Sequence, residues 1–143
     1  MKTLKAIFAS IFFLIPIAAF AGERLDYTIT IDLENREAAG GMFAARSSDD
    51  INQMIGCGRS VGEYDAPYDN YGYCQATDAD GVFVGCVFFD PEYFDVISSI
   101  NAYSYVKFGF DGGPDEFSNC TYLVVTAKSS YLPFTPVVKE KVK

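Results

Sequence analysis

The chain is 143 residues long, with 19 acidic and 11 basic side chains, a net charge of −8, and no histidine. Such a balance speaks against binding nucleic acid or anionic lipid headgroups, because either depends on Lys and Arg neutralising phosphates. The missing imidazole removes the commonest general base and the usual partner of a nucleophilic serine or cysteine.

Lys2 and Lys5 precede an apolar run from Ala6 to Phe20, and Ala19-Phe20-Ala21 has the small-x-small pattern read by signal peptidase. Residues 1–21 are therefore read as a cleaved secretory signal. The run is shorter than the ~20 residues a bilayer-spanning helix needs, and no second stretch could span a membrane, so no stable insertion is expected after cleavage. No cysteine stands at the junction, so no lipid anchor is expected there. Loss of Lys2 and Lys5 leaves nine basic against nineteen acidic residues, a net charge of −10. The remainder reads as one β-rich domain, 22–131, followed by a flexible Pro/Lys tail, 132–143.

Leu25, Tyr27, Ile29, Ile31 and Leu33 alternate with polar residues, the period-two pattern of a strand with one dry face. Charge and the Gly40-Gly41 pair break the pattern over 35–41. Two strands are expected next, over 42–47 and 51–58, with Ser48-Asp49-Asp50 as the reversal. A tyrosine-rich loop, "GEYDAPYDNYGYC", leads into a hairpin whose turn is Asp78-Ala79-Asp80-Gly81. Gly81 can take the left-handed conformation of a three-residue hairpin loop, which pairs Asp78 with Val82 and sets Cys74 opposite Cys86. Asp90 caps a helix over about 90–101, with Pro91 in its first turn and Tyr93, Phe94, Ile97 and Ile100 on one face. Strands over 103–110 and 120–127, joined by "DGGPDEFSN", complete the domain. The fold class is mainly β: a small antiparallel barrel or sandwich of six to seven strands with one helix, OB-like in setting that helix before the last two strands.

Cys57, Cys74, Cys86 and Cys120 all lie in the exported part, an even set that reads as two disulfides in an oxidising compartment. No Cys-x-x-Cys spacing and no histidine accompany them, so no metal site is expected. The hairpin register allows a bridge between Cys74 and Cys86. It equally leaves both sulfurs to neighbouring strands, and the pairing Cys57–Cys74 with Cys86–Cys120 is slightly favoured over the others.

With no histidine and the cysteines oxidised, no catalytic residue is assigned and no cofactor is implied. Only a carboxylate pair of the glycosidase kind remains as a route to catalysis. "DADG" looks like part of a calcium loop, but the twelfth position from Asp78 is Phe89 where a bidentate Glu is required, so a hairpin turn is the better reading. The binding candidates are Glu63, Tyr64, Asp65, Tyr68, Asp69, Tyr71 and Tyr73. Tyrosines offer stiff amphipathic area at low entropy cost, and the carboxylates attract a cationic partner. Tyr71 and Tyr73 also fit as ordinary strand residues.

The segments "AARSSDDINQMIGCG" (Ala44 to Gly58), "CQATDADGVFVGC", "DPEYFDVISSI" and "SYVKFGFDGGPDEFSNCTYLVV" resemble a family of small exported proteins of Gram-negative bacteria. The specific parts are Ile55-Gly56-Cys57, the Asp90-Pro91 helix start, the Ser104-Tyr105-x-x-Phe108 strand and the four cysteines; the likeness runs from about Gly41 to Tyr131. It implies a periplasmic or secreted location and paired cysteines, and no activity. The leading expectation is a non-enzymatic binding protein, an inhibitor or immunity-type partner of a basic protein. The alternative is a module that binds carbohydrate or an envelope polymer.

Overall fold

A computed structural model describes residues 27–62 and 70–132. The expected signal, 1–21, and the expected tail beyond Leu132 lie outside them. Seven strands are present: β1 (Thr30–Asp32), β2 (Glu37–Gly41), β3 (Met54–Val61), β4 (Asn70–Thr77), β5 (Phe83–Phe88), β6 (Tyr105–Phe110) and β7 (Phe117–Thr126). Helices α1 (Met42–Ser47) and α2 (Pro91–Ser98) accompany them. The strands form one sheet in the order β1-β2-β6-β7-β5-β4-β3, and its edges do not meet, so the mainly-β fold is sandwich-like and not a closed barrel.

The β4–β5 hairpin has the register its turn chemistry dictates. Asp78 N–H donates to Val82 O at 3.1 Å, Gly81 sits at φ 81°, and Cys74 faces Cys86. The Asp78 carboxylate accepts from Val82 N–H at 2.9 Å, so it closes the turn. Asp90 caps α2 by accepting from Glu92 N–H at 2.9 Å, and Phe94 is buried against Phe88 with ring centroids 5.7 Å apart.

Three local expectations change. The stretch 42–47 is a helix: Ala44 and Ala45 favour one, Ala45 is buried, and Met42 N–H donates to Ser104 O at 3.0 Å. The Gly-Gly pair lies inside β2, because the Ile29 side chain occupies the space a Cβ on Gly40 would fill. Of the expected first strand, the described residues 27–33 are strand only at Thr30–Asp32, ending where the chain reverses over 33–36 with Asp32 accepting from both Asn35 N–H and Asn35 Nδ2. Among the described residues there are thus two α-helices where one was expected, and the sheet is mixed: β5 and β7 run parallel while the other pairs are antiparallel. A parallel pair needs a long crossover, and α2 with β6 supplies it.

Both disulfides take the favoured pairing, Cys57–Cys74 and Cys86–Cys120. Cys57 and Cys74 are register partners on β3 and β4. Cys86–Cys120 needs an additional device, because β7 must turn Cys120 inward while Asn119 and Tyr122 face outward. The register shift in the β6–β7 ladder does this: Gly109 pairs with Tyr122 but Phe110 pairs with Cys120, so Thr121 is the extra residue. Two disulfides mark the protein for an oxidising, extracytoplasmic environment. No helix among the described residues is long and apolar enough to cross a membrane.

The core lies on one face of the sheet, where Val84, Val106, Phe108 and Phe110 are almost wholly buried and α2 packs over Phe88. Four glycines on the ladders stand opposite aromatic residues: Gly58 with Tyr73, Gly72 with Phe88, Gly85 with Phe117 and Gly109 with Tyr122. In each case the partner's ring lies within 3 Å of where a Cβ would be. An aromatic ring laid over a glycine fills the gap in the side-chain layer and pins the register.

Candidate binding groove

Strict alternation along β4 places Gly72, Cys74 and Ala76 inward and Tyr71 and Tyr73 on the outer face. Those two rings are 6.4 Å apart, centroid to centroid, and tilted by 49°. On β5 the outward positions are Phe83, Gly85 and Val87, and on β7 they include Phe117 and Asn119. Across the ladder Tyr73 pairs with Val87, which in turn pairs with Asn119. An open groove of about 810 Å³ results, with Val87 as floor, Tyr71 and Tyr73 on one wall, and Phe117 and Asn119 on the other. β4 and β7 stand two strand spacings apart, roughly 9 to 10 Å. Phe89 and Ser60 line one end.

The walls are apolar and wet. Phe117 is 57% exposed and Phe89 49%, and exposed apolar surface gathered in one place is characteristic of interaction sites. The Phe117 ring reclines over Gly85, within 3 Å of where a Cβ would stand.

Polar groups in the groove are few and held. Asn119 N–H donates to Asp111 Oδ1 at 2.8 Å and Asn119 Nδ2 to Asp111 Oδ2 at 3.0 Å, and these bonds, the side-chain one first, hold the Asp111 pKa below the ordinary 3.8. Arg59 lies at the margin: its Nε–H donates to Asn70 Oδ1 at 2.9 Å and its guanidinium sits 4.3 Å from the Phe94 ring centroid. Among the described residues that line the groove, none is a carboxylate. Among the described residues no group of three His, Cys, Asp or Glu converges on a point where a metal could sit.

Of the binding candidates read from the sequence, Tyr71 and Tyr73 come together in this groove. Glu63, Tyr64, Asp65, Tyr68 and Asp69 lie outside the described residues. Val87, Phe89, Phe117 and Asn119 were not read from the sequence as binding residues. Their signal was present in β5, where the apolar run from Val82 to Phe89 puts hydrophobic residues on both faces of a strand that needs only one dry side. Phe117 carried no such signal, because it stands in a stretch of turn-forming residues. Comparison with protein-family models, with curated proteins and with solved structures finds no match to this chain.

Proposed function

We propose that the protein is an exported, non-catalytic binding protein that acts in the periplasm or outside the cell, and that the groove over β3, β4, β5 and β7 is its binding surface. The observation that carries this reading is the row of rings, Tyr71, Tyr73, Phe89 and Phe117, that lines one groove, with Phe89 and Phe117 about half-exposed. Aromatic residues arranged this way offer large contact area with little ordering cost. A binding role without chemistry fits a chain that has no histidine and whose four cysteines are all bridged. The test is retention of the purified, oxidised protein on an isolated envelope fraction. Tyr71→Ala and Phe117→Ala, each confirmed as folded by circular dichroism, should lower retention about tenfold. Unchanged retention would remove the groove from the reading.

A second reading places a basic protein partner at Glu63, Tyr64, Asp65, Tyr68 and Asp69. Its motive is the stretch from Val61 to Asp95, which has eight acidic residues and no basic one. Steering by charge makes association fall as salt rises. Capture of lysozyme as a basic probe should therefore weaken with ionic strength and with E63Q/D65N/D69N; indifference to both would dismiss the partner.

A further inference from the structure

We infer that the groove binds a neutral glycan chain, with sugar rings stacked on Tyr73 and Phe117 and their hydroxyls bonded at Asn119 and Ser60. The inference rests on the groove being the binding surface, as proposed above.

Three observations select this ligand class. Aromatic residues on β4 and β7, strands about two strand spacings apart, flank a floor of Val87. That shape takes a flat object with apolar faces, and a pyranose ring presents C–H groups on its faces and hydroxyls around its rim. The volume of about 810 Å³ lies within the range of ~300–1,000 Å³ typical of ligand pockets, yet the groove is open at the surface, which suits one section of a longer polymer.

Charge decides against the other extended ligands. The described lining residues include no carboxylate to receive a basic segment, and the lone cation, Arg59, already bonds Asn70 and lies over Phe94. A chain with 19 acidic and 11 basic residues repels anionic polymers at long range. An uncharged ligand with polar edges meets neither obstacle. Asn119 is ready for it, because its backbone N–H and its Nδ2 each donate to the Asp111 carboxylate and so hold the residue before any ligand arrives.

The oxidised protein should be titrated, with amide and ring resonances followed by NMR, against neutral (1→4)-linked oligosaccharides of glucose and of N-acetylglucosamine, and separately against lysozyme as a basic probe. Shifts confined to Tyr71, Tyr73, Val87, Phe117 and Asn119 with an oligosaccharide, tightening with chain length and indifferent to salt, support the inference. Phe117→Ala should then raise Kd about tenfold. The shift map of the unmodified protein stands even if that variant misfolds. Groove shifts with lysozyme alone overturn the glycan while leaving the groove as binding surface. Shifts that fall elsewhere, or none with any probe, overturn both.

Discussion

Gly72 and Gly85 look alike in the ladder, yet their neighbours differ. A Cβ on Gly72 would meet the Phe88 ring at 2.1 Å, and Phe88 is buried beneath α2; a Cβ on Gly85 would meet the Phe117 ring at 2.8 Å, and that ring can swing into solvent. Gly72→Ala should therefore cost on the order of 1–3 kcal/mol, as overpacking does, and Gly85→Ala less. Urea unfolding midpoints measure the difference, and an equal loss at both positions would refute the account. Acid dependence is also a residue matter. Hydrogen bonds from Asn35, from Lys107 and from Asn119 hold Asp32, Glu37 and Asp111, respectively, below their ordinary values of 3.8, 4.5 and 3.8. A depressed folded pKa contributes stability that is complete above the unfolded value and lost as pH falls through the folded one. Melting temperature should hence begin to drop below about pH 4.5. Asp111→Asn should make that drop shallower, and identical acid profiles would exclude Asp111 from it. Lys107, raised chiefly by its bond to Glu37, acts in the opposite direction: its share is complete below 10.5 and is lost only at higher pH.

At the level of elements, the two disulfides have unequal tasks. Cys57–Cys74 spans 17 residues and joins strands already paired along eight register positions. Cys86–Cys120 spans 34 residues and ties β5 to β7, which share only three. By loop-closure entropy the bridges contribute roughly 3 and 4 kcal/mol, the longer loop more. Replacing Cys86 and Cys120 by Ala should thus lower stability more than replacing Cys57 and Cys74, and it should also weaken β5–β7 amide protection in hydrogen exchange. Equal protection loss in both double variants would contradict the division of labour. Helix α2 provides a third check: Asp90→Ala removes the bond to Glu92 N–H and should cost ~0.5–2 kcal/mol in chemical unfolding. Elements whose signals are local were legible in advance. The turn at Asp78–Gly81 and the cap at Asp90 each depend on one or two residues with specific backbone chemistry. Met42–Ser47 misled because six residues are too few to display a 3.6 period, and what holds that helix is Ser104, far along the chain.

For the whole molecule, one feature of topology creates the candidate site. The parallel pairing of β5 with β7 carries Phe117 and Asn119 across from Tyr71 and Tyr73, and without it the tyrosines would form one wall with nothing facing them. Half of the groove was readable as tyrosines on alternate positions of β4; the other half was not, since Phe117 lies among Asp, Glu, Ser and Asn residues that signal a turn. Sequence by itself determined the oxidising environment, the β-rich class, the β4–β5 register and the capped helix, because cysteine count, period and turn residues act over a few positions. Only the tertiary structure decided which strands lie side by side and where the sheet stays open. It also decided that Thr121 is extra, so that Cys120 turns inward to Cys86. Those choices come from the packing of side chains distant in the chain, and no window of neighbouring residues contains them.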